Sequence, residues 1–499
     1  MTPDFLECDV LVIGAGPAGA AAAQLLASWG RSVILVHRAG APRHSLAESL
    51  PSSTRKLLQL LGQLDRVDAA DLYPNDGNVA HWAGASRTTT SAESGFHVSR
   101  AVFDALLRDA ARAAGARTLD AIVQHIDDDD PVGITCIAGA GAHRRTICYA
   151  HYVLDCSGRA GVVARRGLRR SGAASRTLAI VAEWQCDEWP AAERTRTTVE
   201  SYRDGWAWSV PLSATRRQCT VMVDAERSAY RPALQAKYDA ELAKAHALFA
   251  RLAGARQISA PWTCDASIYD STRAAEGRVL LVGDAASFID PLSSAGVKKA
   301  LLSAWRAAVV ANTCLADSSM APAAMDLHSR RERQVFADCS RRSTVYFSEA
   351  ASAYDTSFWS ARAACSRDGA QPPGGAGDLP DDELARDPEL RDAFDRLRSA
   401  VHLRLRTSTT LQFEPIAAIE GRRVVMREAI VVPGRDAPLH FAAGVNLPAL
   451  ARLARNGGEV PALIEAYRAQ VGPAPLGGLL TGLSLLVARQ ALVAEDSLS

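Results

Sequence analysis

Val10-Leu-Val-Ile-Gly14-Ala-Gly16-Pro-Ala-Gly19-Ala20, close to the N-terminus, is the stretch that decides the fold. Its apolar run reads as a buried parallel strand, and the three glycines stand at G-x-G-x-x-G spacing. An alanine-rich helix then runs to about Trp29. In that context the glycines permit a tight turn, a close approach of backbone to a pyrophosphate, and close helix–strand packing. The helix start offers free N–H groups and a positive dipole end to the phosphates. The stretch therefore predicts a dinucleotide site. An ordinary glycine turn between a strand and a helix is the competing reading.

The chain of 499 residues is long enough for two or three domains, and 48% hydrophobic with 22% charged residues is a globular composition. A net charge of +1 gives no sign of a polyelectrolyte partner, so no nucleic-acid binding is expected. The ten cysteines show no C-x-x-C and no ligand clustering. They read as reduced thiols, mostly in the core, with no metal site and a cytoplasmic location. Because the glycine motif begins almost at once, no signal peptide is expected before the first strand. Leu476 to Ala488 is apolar but short, so it reads as a buried or docking helix, and no membrane partner is expected. Basic residues are nearly all arginine, the only lysines being Lys56, Lys237, Lys244, Lys298 and Lys299.

Further along, the strand ending Leu-Val36-His37-Arg38 places His37 where an acid usually holds ribose hydroxyls. A surface histidine at a strand end explains it equally well. Glu48-Ser49-Leu-Pro51 precedes a helix from about Arg55 to Leu64, with Leu57, Leu58, Leu60 and Leu61 on its buried face. Tyr73 to Gly84 reads as a loop. Gly95-Phe-His97-Val-Ser-Arg100 opens a helix through Ala114, with Arg100 in reach of a phosphate or ribose, or simply solvated. Tyr152 to Asp155 is a strand leaving into the turn Cys-Ser-Gly158. Arg278 to Phe288 is a strand–turn–helix in which Asp284 can accept from a polyol hydroxyl. The helix start near Gly296 can offer N–H groups to an anionic ring oxygen. Between them, Leu178 to Cys264 reads as antiparallel strands, with Trp206 and Trp208 on one face of a single strand. After Leu315 the chain becomes mainly helical. Cys365 to Asp382 reads as a mobile connection, and Arg422 to Pro433 as strand material.

Three separated pieces, the N-terminal glycine motif, Asp155-Cys-Ser-Gly158 and Gly283-Asp284 with Pro291, together resemble the flavin-dependent monooxygenase and halogenase superfamily with the para-hydroxybenzoate hydroxylase type of fold. The resemblance implies an α/β architecture. A Rossmann-like FAD-binding domain (residues 1–170 and 265–314) would carry an antiparallel substrate-side sheet (171–264) and a mainly helical C-terminal domain with a small strand element (315–499). FAD is the implied cofactor. Gly14, Gly16 and Gly19 would hold its pyrophosphate, and Arg100 would support the phosphate or ribose region. Asp284 would bind the ribityl chain, and Ser294-Ala295-Gly296 with Pro291 would face the isoalloxazine. His37, Arg38 and Ser49 complete the expected cofactor set.

Glu48-Ser49-Leu-Pro51 looks like the halogenase branch's E-S-x-x-P element with one residue fewer, and Trp206-Ala-Trp208-Ser-Val-Pro211 is similar to its W-x-W-x-I-P signature. Halogenases of this kind use a lysine beyond the first element, yet no lysine occurs from Leu57 to Tyr202. The expectation is therefore an FAD monooxygenase that hydroxylates an electron-rich aromatic ring through a flavin C4a-hydroperoxide. Glu48 would be its base for the ring proton or else a structural hydrogen-bonding residue, Trp206 and Trp208 its tunnel wall, and Lys298 or Lys299 an added charge unless both are surface lysines on a helix. Gly77-Asn78, Trp82-Ala-Gly84 and the His97 element look like the subgroup that hydroxylates a tryptophan of a partner protein in quinone cofactor biogenesis. A carrier-bound or free aromatic metabolite stays open as substrate, and NAD(P)H or a partner flavin reductase as electron donor. The alternatives are a halogenase, a flavin reductase saturating prenyl double bonds, and an assembly partner with structural FAD.

Overall fold

A computed structural model describes residues 4–38, 40, 44–127, 131–138, 145–171, 176–225, 233–364, 388–399, 403–433 and 438–495. The chain divides into two compact units, Met1–Ala370 and Gln371–Ser499. The first unit begins with β1 (Asp4–Ile13), α1 (Pro17–Ser28), β2 (Val33–His37), β3 (Ala47–Leu50), α2 (Ser53–Leu60) and α3 (Leu64–Asp68). It continues with β4 (Tyr73–Trp82), β5 (Ala85–Ser99), α4 (Arg100–Ala113), β6 (Arg117–Ile126), β7 (Val132–Ala138) and β8 (Arg145–Asp155). Then follow β9 (Arg169–Ser171), β10 (Thr177–Gln185), β11 (Arg196–Tyr202), β12 (Gly205–Pro211), β13 (Arg216–Asp224), α5 (Leu234–Leu242) and α6 (His246–Arg251). The unit closes with β14 (Arg256–Gln257), β15 (Trp262–Asp265), β16 (Tyr269–Ser271), β17 (Ala275–Glu276), β18 (Val279–Leu281), α7 (Gly296–Ala316), α8 (Ala321–Tyr354) and α9 (Ser357–Ala364).

The first sheet runs β1-β2-β6-β7-β8-β18-β17, with β8 also closing onto β1. β1 is parallel to both β2 and β8, so Val10 to Ile13 are buried on both faces, which is why that run shows no polar alternation. The alanines of α1 let the helix lie close to its neighbours: a Cβ on Gly283 would stand 3.2 Å from that of Ala18. The second sheet runs β14-β10-β13-β12-β11-β4-β5-β3, with β15 on β10. Its central strands are antiparallel as expected, but β11 pairs in parallel with β4.

That pairing corrects the reading of Tyr73 to Gly84 as a loop. The segment is a strand and the turn of a hairpin, with a bulge between Asn75 and Gly77. Its outer arm, Ala85 to Ser94, is largely exposed, so the hydrophobic alternation that marks a strand is missing there. The second sheet is likewise not confined to residues 171–264, because β3, β4 and β5 belong to it. The helix after Pro51 spans Ser53–Leu60 and buries Leu57 and Leu58, with Leu61 at its end, while Leu60 is 55% exposed.

The expected boundary at 315 also moves. α8 and α9 belong to the first unit, where Trp82 Nε1 donates to the Tyr346 carbonyl at 3.0 Å and Trp359 Nε1 to the Tyr202 carbonyl at 2.9 Å. The expected connection at 365–382 lies outside the described residues. The second unit mixes helices with strands. Leu479, Leu483, Leu485 and Leu486 of the apolar helix Leu476–Ala488 enter its core, beside the hairpin Gln412–Glu420 and Arg423–Val431. Among the described residues no helix is long and apolar enough to cross a membrane.

Candidate active site

A cavity of about 1210 Å³ opens at the carboxyl ends of β1, β2, β8 and β18 and continues along the inner face of the second sheet. Ligands of open parallel sheets bind at this place. Gly14 turns the chain there with φ +97°, and a Cβ on it would stand 2.5 Å from the Cys156 carbonyl oxygen. Gly14 and Gly16 line the cavity, but Gly19 does not. A Cβ on Gly19 would fall 1.8 Å from the Gly14 carbonyl oxygen, so this glycine brings helix and turn together rather than touching the cavity. Opposite, the Asp155 carboxylate braces the second turn by accepting from the Ser157, Val163 and Ala164 N–H groups.

Arg100, at the first position of α4, reaches into the same space. Its Nε and Nη2 donate to the Asp104 carboxylate at 2.9 and 3.1 Å, and its Nη1 lies 3.5 Å from Glu48 Oε1. Burial alone would lower the Arg100 pKa, but Asp104 and then Glu48 outweigh it and hold the guanidinium charged. Burial pushes the Glu48 carboxyl above its ordinary range, against the pull of Arg100. Arg108 and Arg112 follow on the same face of α4, and with His37 and Arg38 they line this end of the cavity. Arg100, Arg108 and Arg112 stand eight and four residues apart, with Asp104 between the first two, and that helical spacing was available in the sequence as a signal for one face.

At the other side, Asp284, Pro291, Ser294 and Gly296 line the wall. Ser294 takes φ +48° to turn the chain into α7. Ala295 and Lys298 are outside the wall, and Lys298 Nζ donates instead to Ser53 Oγ at 3.1 Å. Lys299 corrects the surface reading. It is 4% exposed, and its Nζ donates to the Gly283 and Ser287 carbonyls at 2.9 and 2.6 Å, tying down the loop that carries Asp284.

The sheet side presents Trp206 and Trp208 with ring centroids 4.8 Å apart and planes 29° apart. Trp206 is fully buried and is met by the edge of Trp82. Ser49 and Thr197 are beside them in the wall, and His44, stacked at 4.5 Å on Trp262, lines it too. Nothing in the sequence singled out Thr197, which reaches the cavity because β11 lies between β4 and β12. None of the five lysines lines the cavity, although Lys299 Nζ stands 3.9 Å from the wall residue Asp284. Besides Lys298 and Lys299, Lys237 and Lys244 pair with Glu241 and Lys56 is exposed on α2. Among the described residues no group of three His, Cys, Asp or Glu side chains is placed to hold a metal.

A glycine cradle at a helix start, a basic stripe and an acid beyond the last parallel strand define a dinucleotide-binding flavoprotein site. The chain belongs to the FAD binding domain family, whose profile matches residues 7–309. A tryptophan 2-halogenase of Chondromyces crocatus is 31% identical over 336 residues, 64% of this chain and 64% of its own length. Among solved structures, the flavin-dependent halogenase CmlS superposes with TM-score 0.80 at 23% identity, over 100% of this chain and 97% of its own. The peptidyl tryptophan dihydroxylase QhpG, essential for tryptophylquinone cofactor biogenesis, does so with TM-score 0.68 at 22% identity, over 97% and 99%. The fold is the mixed α/β FAD-binding fold of these proteins. The cavity volume, the turn that only glycine permits at residue 14 and the charged Arg100 fit FAD.

Proposed function

We propose that the protein is an FAD-dependent oxidoreductase that halogenates an electron-rich aromatic ring. The observation that carries this reading is the stacked Trp206–Trp208 pair in the wall of the cavity that Gly14, Gly16 and Asp284 also line, in a chain 31% identical to a tryptophan 2-halogenase. When bound, FAD supplies the activation of O2 against which halide is oxidised, so that the ring exchanges a proton for a halogen. Gly14, Gly16 and the start of α1 would hold the pyrophosphate, Arg100 the phosphate or ribose region beside His37 and Arg38, and Asp284 a ribityl hydroxyl. Ser294 and Gly296 would face the ring system, with the α7 N–H groups stabilising negative charge there. Trp206 and Trp208 exclude water between cofactor and substrate. Glu48, whose carboxyl pKa is raised by burial against the pull of Arg100, is placed to exchange a proton at its carboxyl oxygen with a cavity occupant.

Hydroxylation of the same ring class is the second reading. The observation favouring it is that none of the five lysines lines the cavity, Lys299 alone reaching a wall residue, Asp284, at 3.9 Å from behind. The test is mass spectrometry of indoles, phenols, carrier-bound pyrroles and tryptophan peptides after incubation with reduced holoenzyme, O2 and bromide. Gain of bromine supports halogenation. Gain of oxygen alone replaces it with hydroxylation, and no modified product from any of them overturns both.

A further inference from the structure

Lys299 is buried on α7, and the chemistry proposed above gives it no part. A buried ammonium is unfavourable unless it is hydrogen-bonded, and an apolar chain would fill the same space without that penalty. Its Nζ donates to the Gly283 carbonyl at 2.9 Å and to the Ser287 carbonyl at 2.6 Å, the two ends of one turn. Three more side chains hold the same turn. Tyr269 Oη donates to the Asp284 carbonyl at 2.6 Å, and Ser271 Oγ donates to the Ala286 carbonyl at 2.6 Å. Ser303 Oγ accepts from the Gly283 N–H at 2.8 Å. Tyr269, Ser271 and Ser303 are all buried.

The turn is thus gripped from outside at Gly283, Asp284, Ala286 and Ser287. From within, the Ala286 and Ser287 N–H groups close onto the Gly283 carbonyl at 3.1 and 3.2 Å. Of residues Gly283 to Ser287, Asp284 is the one that is not buried, and it lines the cavity. The clamp therefore presents a single carboxylate to the cavity. Lys299 is also the cation behind that carboxylate, its Nζ 3.9 Å from Asp284 Oδ1. The separation is too long for a hydrogen bond but short enough for charge attraction in a buried setting. Lys299 can therefore orient the carboxylate without occupying its oxygens.

We propose that Lys299 is a positioning residue for the cofactor, which, with Tyr269, Ser271 and Ser303, fixes the Asp284 carboxylate in the cavity wall before FAD arrives. The inference rests on the reading of Asp284 as the partner of a ribityl hydroxyl. Lys299 touches neither cofactor nor substrate and acts through Asp284. An acceptor already held in place binds a hydroxyl without first having to order the turn that carries it, so the clamp favours binding. Removing the ammonium frees both ends of the turn at once and takes away the charge behind the carboxylate. The loss should therefore be felt where Asp284 is present and not where its carboxylate is already gone.

The test is a double-mutant cycle on the full-length apoprotein, titrated with FAD and followed by quenching of flavin fluorescence. The four proteins are the wild type, Lys299→Met, Asp284→Asn and the double variant. Methionine keeps the length of the buried stem and removes the charge. Lys299→Met is expected to weaken FAD binding tenfold or more in the wild-type background and less than threefold in the Asp284→Asn background. An equal loss in both backgrounds would mark a merely structural lysine and overturn the proposal, leaving Asp284 in its place. No loss in either background overturns it as well. If Asp284→Asn binds FAD as the wild type does, the ribityl reading of Asp284 fails and the proposal with it. Should Lys299→Met not fold, Tyr269→Phe takes its place in the cycle, because it removes a different donor to the same turn and keeps the ring. Its expected loss is threefold or more with Asp284 present and none without it, and equal losses overturn the proposal in the same way.

Discussion

Acidification should weaken the first unit through His97. The imidazole is neutral in the fold, with its pKa driven down to about 3 chiefly by burial, while Arg217 lowers it further and the Pro74 carbonyl and Asp76 work the other way. In the unfolded chain it titrates near 6.5. A folded pKa below the unfolded one means that the stability is present above pH 6.5 and is lost as pH falls toward the folded value. At about 1.4 kcal/mol per unit, the full loss approaches ~5 kcal/mol, and about 2 kcal/mol of it falls between pH 8 and pH 5. All nine tryptophans lie within residues 1–370, so tryptophan fluorescence in urea reports this unit. Wild type should lose about 2 kcal/mol more than His97→Asn over that interval. Equal slopes for the two proteins would refute the neutral, buried imidazole.

Gly19→Val would drive a side chain into the Gly14 carbonyl oxygen, which a backbone atom cannot yield, so the protein should purify without visible flavin absorbance. Retention of full flavin content would contradict the account of the turn. Asp290 is fully buried, accepts from the Leu292 N–H at 2.9 Å, and has its pKa raised to about 6, chiefly by that burial. A raised carboxyl pKa costs stability once the group must ionise, so wild type should lose stability as pH rises from about 4 to 6. Asp290→Asn, which keeps the cap, should be relatively more stable above pH 6 by about 3 kcal/mol. Thermal melts of both proteins from pH 4 to 8 check this, and parallel curves would contradict it.

The parts of the fold carried by local chemistry could be read directly. A strand buried on both faces, three glycines at fixed spacing and an alanine helix left little choice for residues 10–29, and Trp206 and Trp208 share a wall because alternate strand residues share a face. What escaped was set by pairing across sequence distance. β4 joins the second sheet through β11, more than a hundred residues away, and brings β5 with it, whose exposed arm carries no periodicity. The His97–Thr197–Ser49 chain likewise spans β5, β11 and β3. Lys298 and Lys299 show a different limit. Neighbours on a helix point about 100° apart, so they cannot share one environment, and only the packing of α7 decides that Lys299 goes inward.

The most direct measurement of the central claim is turnover of an indole by reduced holoenzyme under 18O2 with bromide present, followed by mass spectrometry of the product. Halogenation predicts a product that has gained bromine and carries no 18O. A product that has gained 18O and no bromine would contradict it, and would fit a cavity lining that holds no lysine.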